Sequence, residues 1–258
     1  MRKFLLWGLA AAFTMLLTLA VFFPASWMGQ MLETQTAGRI SLGDAQGSVW
    51  SGSAFIGAAA SSKDPVAALL PGRFSWRLSP MILLGSLDLQ LENPEVLAQP
   101  ITVTGSWSQW QIGPGTLRLP ADGLAGLGAP LNTIGFSGQM QLVWSQLLVQ
   151  MDGKQVAMQG QMQLQMNEMA SRLSFIKPLG AYQLQMDWHG QLADVNLKTV
   201  KGPLLLSGSG RLDHGRLQFS GKADAEKGQE EKLANLLSLL GQRRNEGGKN
   251  IIALEFTQ

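Results

Sequence analysis

Seven consecutive residues, Gly160-Gln161-Met162-Gln163-Leu164-Gln165-Met166, alternate between apolar side chains and glutamine after the leading glycine. Successive side chains of a strand point to opposite faces, so this segment buries its methionines and leucine together only as a β-strand with one dry and one wet face. The same period of two recurs along most of the chain. Phe74, Trp76 and Leu78 alternate with Ser75 and Arg77, and Leu87, Leu89 and Leu91 with Asp88 and Gln90. Comparable runs cover Ile101–Ile112, Gly138–Trp144, Tyr182–Trp188, Gln191–Thr199, Pro203–Leu212 and Arg216–Ala223. Turn formers such as Asn93-Pro94, Asp152-Gly153 and Asp213-His214-Gly215 separate them. Such short connections join antiparallel neighbours, because parallel pairs need crossovers of about a dozen residues or more. The pattern predicts a mainly β fold, an antiparallel, meandering sheet that is twisted or curled.

Two segments depart from alternation. Leu233, Leu236, Leu237 and Leu240 have helical spacing within Glu230–Leu240, and Gly241 follows as a stop. A glycine-rich stretch, Ala121–Leu131, carries leucines at similar intervals and is a weaker helical candidate. Each precedes a strand-like run, which suggests two similar halves at about 38–148 and 149–258. The charged stretches Lys222–Lys232 and Arg243–Lys249 contain glycine and are expected to include surface loops.

The N-terminus obeys a different rule. Arg2 and Lys3 precede an uncharged, mostly apolar run from Phe4 to Phe23. At about 1.5 Å per residue a helix of this length spans roughly 30 Å, the thickness of a bilayer's hydrocarbon core. The apolar stretch of a secretory signal is shorter, about 7–15 residues, and ends at a small-x-small cleavage site. Here the exit reads Phe22-Phe23-Pro24-Ala25-Ser26-Trp27, with bulky groups in the way. An uncleaved transmembrane helix is therefore expected, with Trp27 at the interface. The cations before it leave residues 1–3 as a cytoplasmic stub and send 24–258 to the periplasmic side.

Composition limits what the exported part does. Setting aside Arg2 and Lys3 leaves 18 basic residues against 18 acidic ones. A neutral domain without a basic stripe does not suit nucleic acid. The chain has no cysteine, which removes disulfides, thiol catalysis and thiolate metal sites. Its two histidines, His189 and His214, each adjoin a glycine, and no further ligands fall at metal-binding spacings. Gly208-Ser209-Gly210 lacks the strand–turn–helix setting of a nucleophile, and Asp187 and Asp194 read as solvated strand-end carboxylates rather than an acid–base pair. No catalytic residue, cofactor or metal is expected, and the chain reads as a non-enzyme. Trp50, Trp76, Trp107, Trp110, Trp144 and Trp188 lie in strand-like stretches, where core packing is their first use and the lining of an apolar groove their second.

One element is more specific. Gly47-Ser48-Val49-Trp50-Ser51-Gly52-Ser53-Ala54 resembles the G-x-x-W-x-G-x-A element of the type II (general) secretion pathway protein N family. Trp76-Arg77-Leu78-Ser79-Pro80, Leu83-Leu84-Gly85, Leu179-Gly180 with Tyr182, and the closing Leu233–Gly241 helix are similar to that family too. Gly47, Trp50, Gly52, Ala54 and Trp76 together form the candidate structural or interaction motif. By itself the glycine-framed tryptophan reads as a bent strand seated by its indole, with an interaction epitope as the other reading. The resemblance implies a single-pass inner-membrane protein of a Gram-negative secretion machine, non-enzymatic, with a periplasmic domain and other inner-membrane subunits as partners. Membrane lipid would be contacted through the anchor. A different class fits the same strands: a membrane-tethered, lipid-binding or lipid-conducting groove resembling the AsmA type.

Overall fold

A computed structural model describes residues 7, 8, 14, 15, 18, 22–36, 38, 40–58, 67–68, 70–121, 134–153, 155–214, 216–246 and 249–257. Most of the expected membrane segment 4–23, and all of the weaker helical candidate 121–131 except Ala121, lie outside these residues. Among the described residues no helix is long and apolar enough to cross a membrane. The chain divides into two compact units, Met1–Asn93 and Pro94–Gln258.

In the first unit, helix α1 (Ser26–Gln35) lies on β1 (Ile40–Gly47). Gly29 is buried against β1, where even a Cβ would make only ordinary contact with the Cβ of Leu42, at 3.6 Å. β1 pairs antiparallel with β2 (Ser51–Ala58), from Ile40 opposite Ala58 to Gly47 opposite Gly52, with a bulge between Gly43 and Gln46. The other edge of β2 pairs with the two-residue β3 (Ala67–Ala68) and then with β4 (Phe74–Leu78). β4 continues through a 3₁₀ turn (Pro80–Leu84) into β5 (Leu87–Glu92), its antiparallel neighbour. Ala25, Ala54 and Trp76 form the buried centre, with Met28, Leu42, Leu89 and Leu91 packed around them.

The second unit is organised by one long strand. β6 (Ile101–Gly105) and β7 (Gln109–Ile112) form a hairpin, followed by β8 (Gly115–Pro120), β9 (Phe136–Trp144), β10 (Leu147–Asp152) and the 17-residue β11 (Gln155–Ser171). One edge of β11 carries β12 (Gly180–Gly190). The other edge forks: its first residues pair with β10, and through β10 with β7 and β6, while residues from Met162 onward pair with β9 and so with β8. Gly160 stands at the fork with φ +134°, where a Cβ would lie 2.6 Å from Leu147 Cδ2 and 2.9 Å from Gln146 O. No residue but glycine fits there. Further along, Glu168 adopts φ +50° where both ladders of β11 slip in register, a shared bulge that bends the strand.

From β12 the chain meanders through β13 (Leu192–Lys201), β14 (Leu204–Asp213) and β15 (Arg216–Ala225), all antiparallel. Helix α2 (Glu230–Leu240) then leads to β16 (Gln242–Glu246) and β17 (Lys249–Thr257); β17 inserts between β15 and β16. Leu233 and Leu236 of α2 are buried with Leu179, Tyr182, Leu204 and Ile134. The sheet is open and antiparallel, as the alternation predicts.

Two local expectations are corrected. The run Ile101–Ile112 is a hairpin rather than one strand: Gly105 has φ +148°, Ser106 N–H donates to Gln109 O at 2.7 Å, and Gln109 N–H donates to Ser106 Oγ at 3.3 Å. Trp107 consequently sits exposed at the turn. Part of the charged stretch Arg243–Lys249 is β16 rather than a loop, paired from Gln242 opposite Ala253 to Glu246 opposite Lys249.

Candidate functional site

Four tryptophans of the two units sit opposite glycines on neighbouring strands: Trp76 across from Gly52, Trp144 from Gly115, Trp188 from Gly160 and Trp110 from Gly105. In the first two the indole takes the space of the missing side chain. A Cβ on Gly52 would stand 2.6 Å from Trp76 Cζ2, and one on Gly115 2.3 Å from Trp144 Cζ2. Each of these rings also donates its N–H to the backbone. Trp76 Nε1 lies 3.0 Å from Val49 O and 3.2 Å from Ser48 O, and Trp144 Nε1 lies 2.9 Å from Gly113 O. Trp188 Nε1 is buried without a protein partner. A buried indole N–H ordinarily finds an acceptor, so the Trp76 and Trp144 seats are complete and the Trp188 seat is not.

The motif predicted from sequence gathers at the Trp76 seat. Gly47, at φ +84°, closes the β1–β2 hairpin; a Cβ there would stand 2.5 Å from Ser51 O. Gly52 lies beneath the indole, and Ala54 is fully buried beside it. Trp50 is half-buried at the start of β2, and its carbonyl accepts from Leu78 N–H at 2.7 Å. The ring inserted between the two glycine-bearing strands is thus that of Trp76. Sequence reading placed all five residues in one motif but gave the seat to Trp50.

The chain enters the first unit at this place. Val49 N–H donates to Phe23 O at 2.9 Å, Ala25 N–H to Gly47 O at 3.1 Å, and Pro24 bridges to Ser48. Ala25 is buried against Ala54 and Trp76, so no linker separates Phe23 from the domain. Towards the middle of β1, Arg73 ion-pairs with Asp44, donates to Asp44 O at 2.9 Å and stacks 4.5 Å above the Phe55 ring. The amide of Gln46 and then the Arg73 guanidinium hold the Asp44 carboxyl below its ordinary range.

Two of the candidate polar residues are brought together. Asp187 and Asp194 are directly opposed on β12 and β13. Asp194 is ion-paired with Arg211 at 3.2 Å, and Asp187 accepts from Gln185 Nε2 at 3.1 Å. His189 is exposed on the same strand as Asp187, whereas His214 contacts its neighbour Asp213 at the β14–β15 turn. Among the described residues no group of three or more His, Asp or Glu side chains could hold a metal ion.

The family model for the type II secretion system (T2SS) protein N matches residues 38–251, from just before β1 into β17. The chain belongs to the T2SS protein N family. No curated protein and no solved structure matches it. The match includes the whole Trp76 seat and both Gly160 and Gly115, so the glycine–tryptophan pairs lie inside the family's own region. T2SS protein N membership makes the chain a component of the secretion machinery and implies contact with other components of it.

Proposed function

We propose that this T2SS protein N chain is a non-enzymatic assembly component, anchored in the inner membrane by Phe4–Phe23, whose periplasmic β units hold neighbouring subunits. The carrying observation is the family match over residues 38–251. The apolar run joined without a linker to the buried Ala25 supports the anchor, because a span so attached holds the domain against its membrane. β16 pairs only with β17 among the described residues. Such an outer strand can take up a partner strand by β-augmentation, and its Arg243, Arg244 and Glu246 would restrict which partner pairs there. Trp50, half-buried beside the seat, is the residue of the motif proposed to meet a partner.

Affinity isolation of the tagged full chain under mild detergent tests this reading. Recovery of other secretion subunits, reduced in Trp50→Ala while the fold's melting temperature is kept, is the expected result. Recovery of none defeats the proposal. The lipid-groove alternative draws on one observation, the Met and Leu face of the second unit, where Leu164, Met166, Leu197 and Leu206 remain only partly buried. Bound phospholipid in native mass spectra of the released domain would favour it, and a clean protein mass would count against it.

A further inference from the structure

Several exposed apolar side chains of the first unit converge on one end of its sheet. β1 ends there at Gly47 and β2 begins at Ser51, so the end is marked by Ser48–Trp50. The outgoing end of β4 is tied to it: Leu78 N–H donates to Trp50 O at 2.7 Å, and the 3₁₀ turn Pro80–Leu84 follows directly. The start of the domain is tied to it as well, through Val49 N–H to Phe23 O. Around this end Leu84 is 82% exposed and Phe22 74%, and Trp27, Met81 and Leu83 are exposed too. Residues 79–86, Ser-Pro-Met-Ile-Leu-Leu-Gly-Ser, carry no charge.

The turn is built to present these side chains rather than to bury them. Ser79 caps it by accepting from Met81 N–H, Pro80 opens it, and Gly85 at φ +93° ends it by donating to Ile82 O at 3.0 Å. With both ends fixed, Met81, Leu83 and Leu84 are held outward at a considerable hydrophobic cost in water. Phe23 and Trp27 pack against each other, their ring centroids 5.3 Å apart, at the base of the apolar run. Aromatic residues in that position sit at the lipid headgroup level.

We propose that the 3₁₀ turn Pro80–Leu84 is a second membrane contact, inserting Met81, Leu83 and Leu84 into the interface of the same bilayer that holds Phe4–Phe23. The inference rests on the proposed anchor, whose apolar run leaves this end of the sheet through Phe23 and so puts a bilayer beside it. A lipid surface is the occupant that matches uncharged aliphatic tips flanked by Trp27 and Phe22. Insertion of such a loop reaches about 5–10 Å, to the headgroup–acyl boundary. Two points of contact, the span and the turn, fix the tilt of the first unit on the membrane more firmly than the span alone.

The absence of cysteine makes a direct test available. Leu84→Cys and, as control, Gln35→Cys are each labelled with an environment-sensitive fluorophore in the full chain. Gln35 ends α1, where Thr36 meets Ile40 at the opposite end of β1. The labelled proteins are reconstituted into vesicles of phosphatidylethanolamine and phosphatidylglycerol, with or without lipids bearing a nitroxide high on the acyl chain. Blue-shifted emission and loss of most of the fluorescence to the nitroxide at position 84, with neither at position 35, is the expected result. Alkaline carbonate extraction of the same vesicles reads the anchor separately. If the chain resists extraction while the Leu84 label emits as in water, the turn does not insert, and the anchor reading stands. If the chain is extracted and the label is unquenched, both readings fall. A blue shift that appears only when other secretion subunits are added, without nitroxide quenching, assigns the turn to a protein partner and overturns the proposal.

Discussion

Gly52 and Trp76 act as one object, because the indole occupies the volume a side chain at 52 would fill. A methyl group at Gly52 would also press on Gln46 O at 2.6 Å and Ser48 O at 2.8 Å, which are backbone atoms that cannot rotate away. Gly52→Ala is expected to cost about 1–3 kcal/mol, as overpacking does, read as a lowered denaturation midpoint at unchanged m-value. In a Trp76→Ala background the same substitution should cost less, and the residue of its cost measures the backbone clash alone. Equal costs in the two backgrounds would separate the glycine from the ring. Tyr182, the sole tyrosine, offers a second measurement at this scale. Its hydroxyl donates to Leu204 O at 3.0 Å inside the core, and burial pushes the phenol well above its ordinary value. The unfolded chain ionises tyrosine near pH 10 while the folded chain holds it neutral, so stability contributed by this group is present below about pH 10 and is lost as pH rises beyond it. Phenolate absorbance should therefore appear together with loss of the folded circular-dichroism signal, and a titration near pH 10 in the folded protein would contradict the burial.

Strands and helix differ in how openly the sequence announces them. β11, β12 and β14 are legible because each alternates against a single core and nothing nearby competes with period two. α2 is legible because Leu233 and Leu236 face that core one turn apart, and Leu236→Ala is expected to lower stability by about 2–5 kcal/mol through the cavity it leaves, checked by chemical denaturation. β1 and β8 are poorly legible for a physical reason: glycines and polar residues break their alternation, and their pairing comes from the hairpin closed by Gly47 and from partners such as Trp144. The hairpin inside 101–112 shares the period of its strands, and only Gly105 and the Ser106 hydrogen bonds mark the turn. β16 reads as a loop because its residues, Gln242-Arg243-Arg244-Asn245-Glu246, are all polar and show no apolar alternation. The site was half legible in the same sense. Gly47, Trp50, Gly52, Ala54 and Trp76 were singled out together, yet which indole fills the seat depends on a cross-strand register, Gly52 opposite Trp76, that no local pattern contains. The 3₁₀ turn carried a readable signal, Ser79-Pro80 before and Gly85 after, that alternation on either side obscured.

At the scale of the whole molecule the question is what the N-terminal run contributes beyond its proposed attachment. Residues beyond it are balanced, 18 basic against 18 acidic, so long-range electrostatics gives them little means of finding a membrane or partner subunits unaided. The fold of the first unit nevertheless begins at once after the run, with Ala25 in the core and Pro24 bridged to Ser48. Replacement of residues 1–21 by a cleavable export signal, retaining Phe22 onward, leaves every one of these contacts in place. The released protein is expected to show the circular dichroism and melting temperature of the detergent-solubilised full chain. In cells lacking the native chain, it should fail to restore normal secretion of the proteins that the machinery exports. The fold needs Pro24 and Ala25, whereas the proposed role needs the high local concentration that confinement to the membrane of its partners provides. Secretion restored in full by the released form, at matched periplasmic abundance, would show that confinement is dispensable and would leave the β units as the sole carriers of the function.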